Sequence, residues 1–267
     1  FPVLESDVFL SALISEGGEP WIYTQGILLA LDFLQMTFDE LFEQTKALPW
    51  DEWIPEDGNF IVEGKSQDSK LFSISDSQRI VEKAIVEKLK TRYHVDWFEK
   101  TGAKFGAEVS LLKDMATLTI DTSGEALHKR GYRDRAGDAP IKETLAAAMI
   151  LLSYWNKDRQ LLDPFCGSGT IPIEAAMIGR NIAPGLDRNF ASEEWPRINK
   201  EFWAEARKKA FEAIDNDCKL NILGCDIDKR SMLRARDNAA NLGLYEDIQF
   251  FMKDMRDVDL KNEYGVV

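Results

Sequence analysis

Between residues 160 and 252 the sequence alternates strand-like and helix-like patterning, with a glycine-rich turn at the first change. Leu161-Leu162 reads as a short strand. Thr170 to Ile178 reads as a helix closed by Gly179. Leu220 to Gly224 then gives a second strand, Asp228 to Leu242 a helix closed by Gly243, and Ile248 to Met252 a third strand. Strands separated by helices argue for a parallel sheet with helices on both faces. Just upstream, Pro140 is placed to open a helix through Leu145, Ala148 and Leu152, because its fixed φ suits a first helical turn.

The turn itself is Asp163-Pro164-Phe165-Cys166-Gly167-Ser168-Gly169-Thr170. Its two glycines allow a sharp reversal and a close approach of backbone to ligand. The helix that follows directs unpaired N–H groups at whatever lies there. Open α/β sheets bind their ligands at this place, the carboxyl ends of the strands. Several ligands and chemistries are poorly served. A P-loop needs a lysine after Gly169, and a dinucleotide fingerprint needs a small residue where Pro172 stands. A nucleophile elbow needs glycine at position 166 and a later histidine. Cys166 reads better as a small buried thiol than as a nucleophile. With only His94 and His128 in the chain, no zinc site is expected.

The upstream part reads as a separate mixed α/β unit. Thr37-Phe38-Asp39-Glu40 has capping-box form, with Leu41, Phe42 and Leu48 on the stripe behind it. A short strand is expected around Phe60 to Val62. Ser75 and Gln78 suggest a second capping box, opening an amphipathic helix that ends near Tyr93. Ala107, Val109 and Leu111 alternate, as do Ala116, Leu118 and Ile120, so Lys113-Asp114 would be a tight hairpin turn despite being a disfavoured pair. The expected organisation is a first domain over 1–121, a linker over 122–140 and a second domain over 141–267.

Charge matters to the choice of partner. The net charge is -13, and residues 1–60 hold twelve acidic residues against the single base Lys46, so the remainder is nearly balanced. A basic cluster lies at His128, Lys129, Arg130, Arg133 and Arg135. Alone it reads as a solvated linker, but local positive charge can bind phosphate whatever the global sign. Three scattered cysteines suggest a reducing compartment. No run approaches the roughly 20 apolar residues of a membrane helix. Because the chain opens on Phe1, its native start is expected upstream.

The glycine turn and the Ile171-Pro172-Ile173-Glu174-Ala175-Ala176 that follows resemble the first cofactor motif of class I S-adenosylmethionine-dependent methyltransferases. More narrowly, the chain is similar to the THUMP-domain RNA methyltransferases that modify guanine N2 in 23S ribosomal RNA. The resemblance also rests on Thr37-Phe38-Asp39-Glu40-Leu41-Phe42, Leu118-Thr119-Ile120-Asp121-Thr122-Ser123-Gly124, Leu127-His128-Lys129-Arg130-Gly131-Tyr132-Arg133 and Asn181-Ile182-Ala183-Pro184-Gly185. It spans roughly residues 37–267. It implies an N-terminal α/β THUMP-like domain followed by a Rossmann-like methyltransferase core that is C-terminally incomplete.

The resemblance also implies roles. Asp163, Phe165, Cys166, Gly167, Ser168 and Gly169 would form the cofactor loop, and Thr170 would cap the helix facing the methionine carboxylate. Asp226 would accept from the ribose hydroxyls, although Asp228 fits the helix N-cap better. Asp254 would accept from the adenine amino group. The stretch from Trp195 to Asp217 would be an insertion that the family also carries. Lys129, Arg130 and Arg133 would contact RNA. The family's amine-positioning Asn-Pro-Pro-Tyr is expected after Val267, so no catalytic residue is assigned within the chain. The expectations are therefore S-adenosyl-L-methionine as cofactor, ribosomal RNA as partner, no metal, no membrane and a cytoplasmic location. An adenine-N6 methyltransferase and a non-catalytic RNA-binding module remain open.

Overall fold

The computed structural model describes residues 31–34, 37–133, 140–259 and 265–267. These fall into two compact units. One takes the described residues up to 125 together with 189–202, and the other takes the described residues from 126 to 188 and from 203 onward.

In the first unit, β1 (Leu31–Leu34) precedes α1 (Phe38–Ala47) and the short α2 (Trp50–Trp53). The Thr37 capping box forms as the sequence predicts: Glu40 N–H donates to Thr37 Oγ1 at 3.2 Å, and Thr37 N–H donates to Glu40 Oε2 at 3.0 Å. A nine-residue β2 (Asn59–Gln67) follows, longer than the three residues expected. Pairing explains the difference, because β2 runs parallel to β3 (Lys104–Leu112) along its whole length, Asn59 opposite Lys104 and Gln67 opposite Leu112. The 20-residue α3 (Ile74–Tyr93) crosses between them and buries Val81, Ala84, Ile85 and Leu89. It starts earlier than the Ser75–Gln78 pair suggests. Ser73 is the N-cap, its hydroxyl donates to Asp76, and the Gln78 amide donates to the Val62 carbonyl instead of closing a capping box.

The β3–β4 hairpin is as expected, with β4 (Met115–Asp121) antiparallel to β3 and the alternating residues buried. Lys113 and Asp114 both take positive φ, 51° and 63°, the conformation of a type I′ turn. Glycine or asparagine would adopt it more readily. Here the Asp114 carboxylate accepts from Lys70 N–H at 2.7 Å, and Asp114 N–H donates to Ser69 Oγ at 3.1 Å, which supports the turn from outside. The sheet order is β1-β4-β3-β2.

Residues 189–202 join this unit through Trp195. Its ring stacks on Phe105 with centroids 4.8 Å apart, and its Nε1 donates to the Lys104 carbonyl at 2.9 Å. Trp53 meets it edge-on, and the Arg197 guanidinium lies 4.4 Å over the Trp53 ring while bonding Glu52.

The second unit opens with α4 (Glu143–Leu152). Pro140 is not in its first turn. Lys142 is the N-cap, because the Ile141 carbonyl accepts from Arg133 at 3.2 Å and the first helical bonds run to the Lys142 carbonyl. Four parallel strands then form a sheet of order β7-β6-β5-β8. They are β5 (Gln160–Asp163), β6 (Ile222–Asp226), β7 (Ile248–Met252) and β8 (Gly265–Val266). The second strand sits two residues later than expected, since the register Leu161–Ile222 and Ile222–Ile248 aligns the apolar positions. Helix α5 (Thr170–Gly179) is buried along nearly its whole length and runs through Gly179, where a Cβ would come within 2.7 Å of Leu220. Helix α6 (Lys200–Glu212) belongs to this unit from Trp203 onward, and α7 (Lys229–Asn241) follows β6 with Asp228 as its N-cap. Among the described residues no helix is long and apolar enough to cross a membrane.

Trp195 is 1% exposed, so its truncation would leave a large cavity against Phe105. We expect Trp195→Ala to destabilise the first unit by about 3–5 kcal/mol. Urea unfolding followed by tryptophan fluorescence measures this, and a loss below 1 kcal/mol would show that residues 189–202 do not stabilise it.

Candidate functional site

The carboxyl ends of β5, β6 and β7 bring the sequence-predicted loop and two carboxylates to one edge of the sheet. Asp163 ends β5, and its Oδ1 accepts from Phe165 N–H at 3.1 Å. Burial raises its carboxyl above the usual range; the Phe165 N–H opposes this, and nearby Asp226 adds to the rise. The chain then turns back on itself. Cys166 N–H donates to the Cys225 carbonyl at 2.9 Å and Gly169 N–H to the Cys166 carbonyl at 2.7 Å. Gly167 and Gly169 take φ of 53° and 83°, which a side chain would strain.

The two glycines differ in what surrounds them. A Cβ on Gly169 would lie 3.0 Å from Ala235 Cβ and 3.1 Å from Phe250 Cζ, so the loop there packs tightly on α7 and β7. A Cβ on Gly167 would meet nothing within 4 Å. The tight side seats the loop and the open side faces space that a ligand can fill. Asp226 ends β6 and links directly to this point. Its Oδ2 accepts from Gly167 N–H at 3.1 Å, and its Oδ1 accepts from Asp228 N–H at 2.9 Å. Ser168 is buried, and its carbonyl accepts from Asn238 Nδ2 at 3.0 Å. Phe165 stands 70% exposed beside the loop, and Ile227 is equally exposed at the end of β6.

Cys166 is buried and its thiol is pushed far up by that burial, so it is a packing residue and no thiolate nucleophile. Thr170 does not cap its helix. Gly169 is the N-cap residue, and Thr170 Oγ1 instead accepts from Arg133 Nη2 at 2.7 Å. Asp254 follows β7, where it caps a short 3₁₀ turn. Arg256 binds both of its oxygens, at 3.0 and 2.6 Å, and holds its carboxyl below the ordinary range.

The expected RNA-contacting cluster divides. Lys129 is exposed. Arg130 is 3% exposed and points inward, with Nη2 3.4 Å from Glu174 Oε2 and Nη1 donating to the Leu127 carbonyl. Arg133 is mostly buried against Glu143, Thr170 and the Ile141 carbonyl. These two arginines are therefore corrected to internal partners, because a guanidinium enclosed by protein cannot also present itself to a phosphate. Arg135 lies outside the described residues. No group of acidic, histidine and cysteine side chains suited to a metal occurs among the described residues.

Sequence reasoning passed over three contributors. Gly224 permits close packing, since a Cβ there would come within 2.8 Å of the Phe250 ring and 3.2 Å of Cys166 Sγ. Asn238 holds the loop from α7. Glu174, fully buried in α5, receives Arg130 and the Tyr132 hydroxyl. A glutamate in an otherwise apolar helix was the available signal for the last.

A THUMP domain joined to a Rossmann-like class I methyltransferase domain is the class that these two units and this site define. Residues 35–121 match the THUMP domain family, and residues 130–267 match the RMKL-like methyltransferase domain. The chain belongs to the RMKL-like methyltransferase family. It is 53% identical over 237 residues to "Putative RNA methyltransferase YpsC" of Bacillus subtilis (strain 168), covering 88% of this chain and 62% of that protein. It is 44% identical over 172 residues to "Ribosomal RNA large subunit methyltransferase K/L" of Shewanella woodyi, covering 62% of this chain and 24% of that protein. Among solved structures, SMU.472, "a putative methyltransferase complexed with SAH", superposes with a TM-score of 0.85 at 41% identity, covering 92% of this chain and 67% of that one. The chain thus spans about three fifths of the first of these relatives and about a quarter of the second.

The buried carboxyl of Glu174 gives this region a pH signature. Burial pushes it up to about 7, against the opposing effect of Arg130 and Tyr132. A carboxyl whose folded pKa exceeds its unfolded one binds an extra proton when folded. Its stabilising contribution is therefore complete below about 4.5 and is lost as pH rises through about 7. We expect the melting temperature of the natural protein, relative to Glu174→Gln, to fall between about pH 5 and pH 8. Parallel profiles would mean that Glu174 stays ionised and paired throughout.

Proposed function

We propose that this chain works in an S-adenosylmethionine-dependent RNA methyltransferase whose acceptor is guanine N2 of large-subunit ribosomal RNA. The observation that carries the reading is the open face of Gly167, bonded to Asp226 across two strand ends, in a chain that also holds a THUMP domain. The relatives named for RNA and ribosomal RNA methylation support the substrate class, and the SAH complex of SMU.472 supports the cofactor.

The residues fit such a cofactor. Each carboxylate oxygen has two acceptor positions. Asp226 uses one on each oxygen, for Gly167 and Asp228, and keeps two for a pair of ribose hydroxyls. Asp254 Oδ1 accepts two N–H groups from Arg256, while Oδ2 accepts one and retains a position for an exocyclic amine. Phe165 and Ile227 offer apolar surface at the same strand ends. The N-terminus of α5 favours a carboxylate through its dipole and the N–H groups of Thr170 and Ile171 in its first turn. When bound, the cofactor supplies a methyl group on a positively charged sulfur. Asp226 and Asp254 would hold its nucleoside part and the N-terminus of α5 its carboxylate, with Asp163 adding negative charge at the same strand ends. We assign residues 35–121 to RNA binding, with the exposed Lys129 as a candidate phosphate contact from the described part of the basic cluster.

Calorimetry with SAH and the full-length protein tests the cofactor site. Asp226→Ala should weaken binding by about 1.5–3 kcal/mol, the range for hydrogen bonds to a charged group. Unchanged affinity would remove Asp226 from the ribose role. Mass-spectrometric mapping of ribosomal RNA from a strain lacking the protein tests the acceptor. A missing N2-methylguanine supports the assignment, and a missing N6-methyladenine instead would overturn it.

A further inference from the structure

Thr170 and Glu174 lie one turn apart on the same face of α5. The irregular segment 127–133 grips that face at both positions. Arg130 and the Tyr132 hydroxyl engage Glu174, at 3.4 and 3.1 Å. Arg133 reaches the helix start. Its Nη2 donates to Thr170 Oγ1 at 2.7 Å and to the Ile141 carbonyl at 3.2 Å, and it pairs with Glu143 Oε1 at 3.2 Å. Asn241, at the end of α7, holds the same segment through the Tyr132 carbonyl at 3.0 Å.

Thr170 directly follows the turn whose N–H groups bond Cys166 and Asp226. Fixing its side chain therefore fixes one end of that turn. The Thr170 hydroxyl, buried and accepting from a guanidinium, has a single favourable placement. The other end of the turn is seated close against α7 and β7, where a Cβ added to Gly169 would come within 3.0 Å of Ala235 and 3.1 Å of Phe250. What remains adjustable is the end at Thr170, and Arg133 holds it.

We propose that Arg133 is a positioning residue for the cofactor loop: through Thr170 it keeps the Gly167–Gly169 turn in the conformation that S-adenosylmethionine meets. The action of Arg133 passes through a hydrogen bond to a residue 37 positions away in sequence. The inference rests on the cofactor reading above.

A double-mutant cycle on the full-length protein, titrated with SAH well below its melting temperature, tests it. Arg133→Ala should weaken SAH binding about tenfold or more, the effect of losing a hydrogen bond to a charged group. Thr170→Val keeps the shape and removes only the acceptor, and should weaken binding comparably. The double variant should bind no worse than Arg133→Ala alone, because the Arg133–Thr170 hydrogen bond is already gone in that variant. A purely structural role for Arg133 would lower the melting temperature and leave the dissociation constant of the folded protein unchanged, which overturns the proposal. Additive losses, or a loss in only one single variant, overturn the route through Thr170. Should Arg133→Ala fail to fold, Thr170→Val alone decides, with wild-type affinity overturning the proposal. A wild-type protein that binds no SAH removes the cofactor reading as well, so the two failures are distinguishable.

Discussion

The methyltransferase unit depends on how closely backbone approaches backbone where β5 and β6 end. Gly169 and Gly224 both face the Phe250 ring, at Cβ distances of 3.1 and 2.8 Å. Any side chain at either position would push the loop away from the sheet. With both absent, Cys166 N–H reaches the Cys225 carbonyl and Gly167 N–H reaches the Asp226 carboxylate. One constraint, two missing Cβ atoms, thus seats the loop and joins it to the acidic residue of the next strand. Parallel register does the rest, since Asp163 stands opposite Gly224 and Asp226 opposite Met252.

Behind the loop lies a second, electrostatic layer. Arg130, Tyr132 and Glu174 form a buried cluster, and Arg133, Glu143 and Thr170 form a neighbouring one. Buried ion pairs are weak evidence for stability, because desolvation offsets much of their attraction. Their effect here is alignment. A guanidinium buried without polar partners is strongly unfavourable, so a docking of 127–133 that meets both Glu174 and Glu143 is favoured. The same segment therefore serves as connection along the chain and as clamp on the helix that follows the cofactor loop.

Legibility in the sequence followed interaction range. The Thr37 capping box involves four consecutive residues, so its letters were sufficient. The Ser75–Gln78 pair had the same letters and a different outcome, because Gln78 is drawn to the Val62 carbonyl, 16 residues away. The Lys113-Asp114 turn was readable from the alternation on either side, whereas the support that makes an unfavoured pair acceptable comes from Ser69 and Lys70. The basic cluster shows the same limit. Its charge was visible, but nothing local reveals that Arg130 and Arg133 face inward, since their partners Glu174 and Glu143 lie 44 and 10 residues away.

The sequence by itself determined the two-part α/β architecture, the glycine turn, the strand-end carboxylates and the resemblance to a THUMP-linked methyltransferase. Each is encoded in short-range periodicity or in consecutive residues, where side-chain type dictates backbone geometry directly. Only the tertiary structure decided which charges are partners and which are surface, where residues 189–202 pack, and that Thr170 answers to Arg133 instead of capping its own helix. Those outcomes depend on which distant groups are buried together, and burial is a property of the assembled fold.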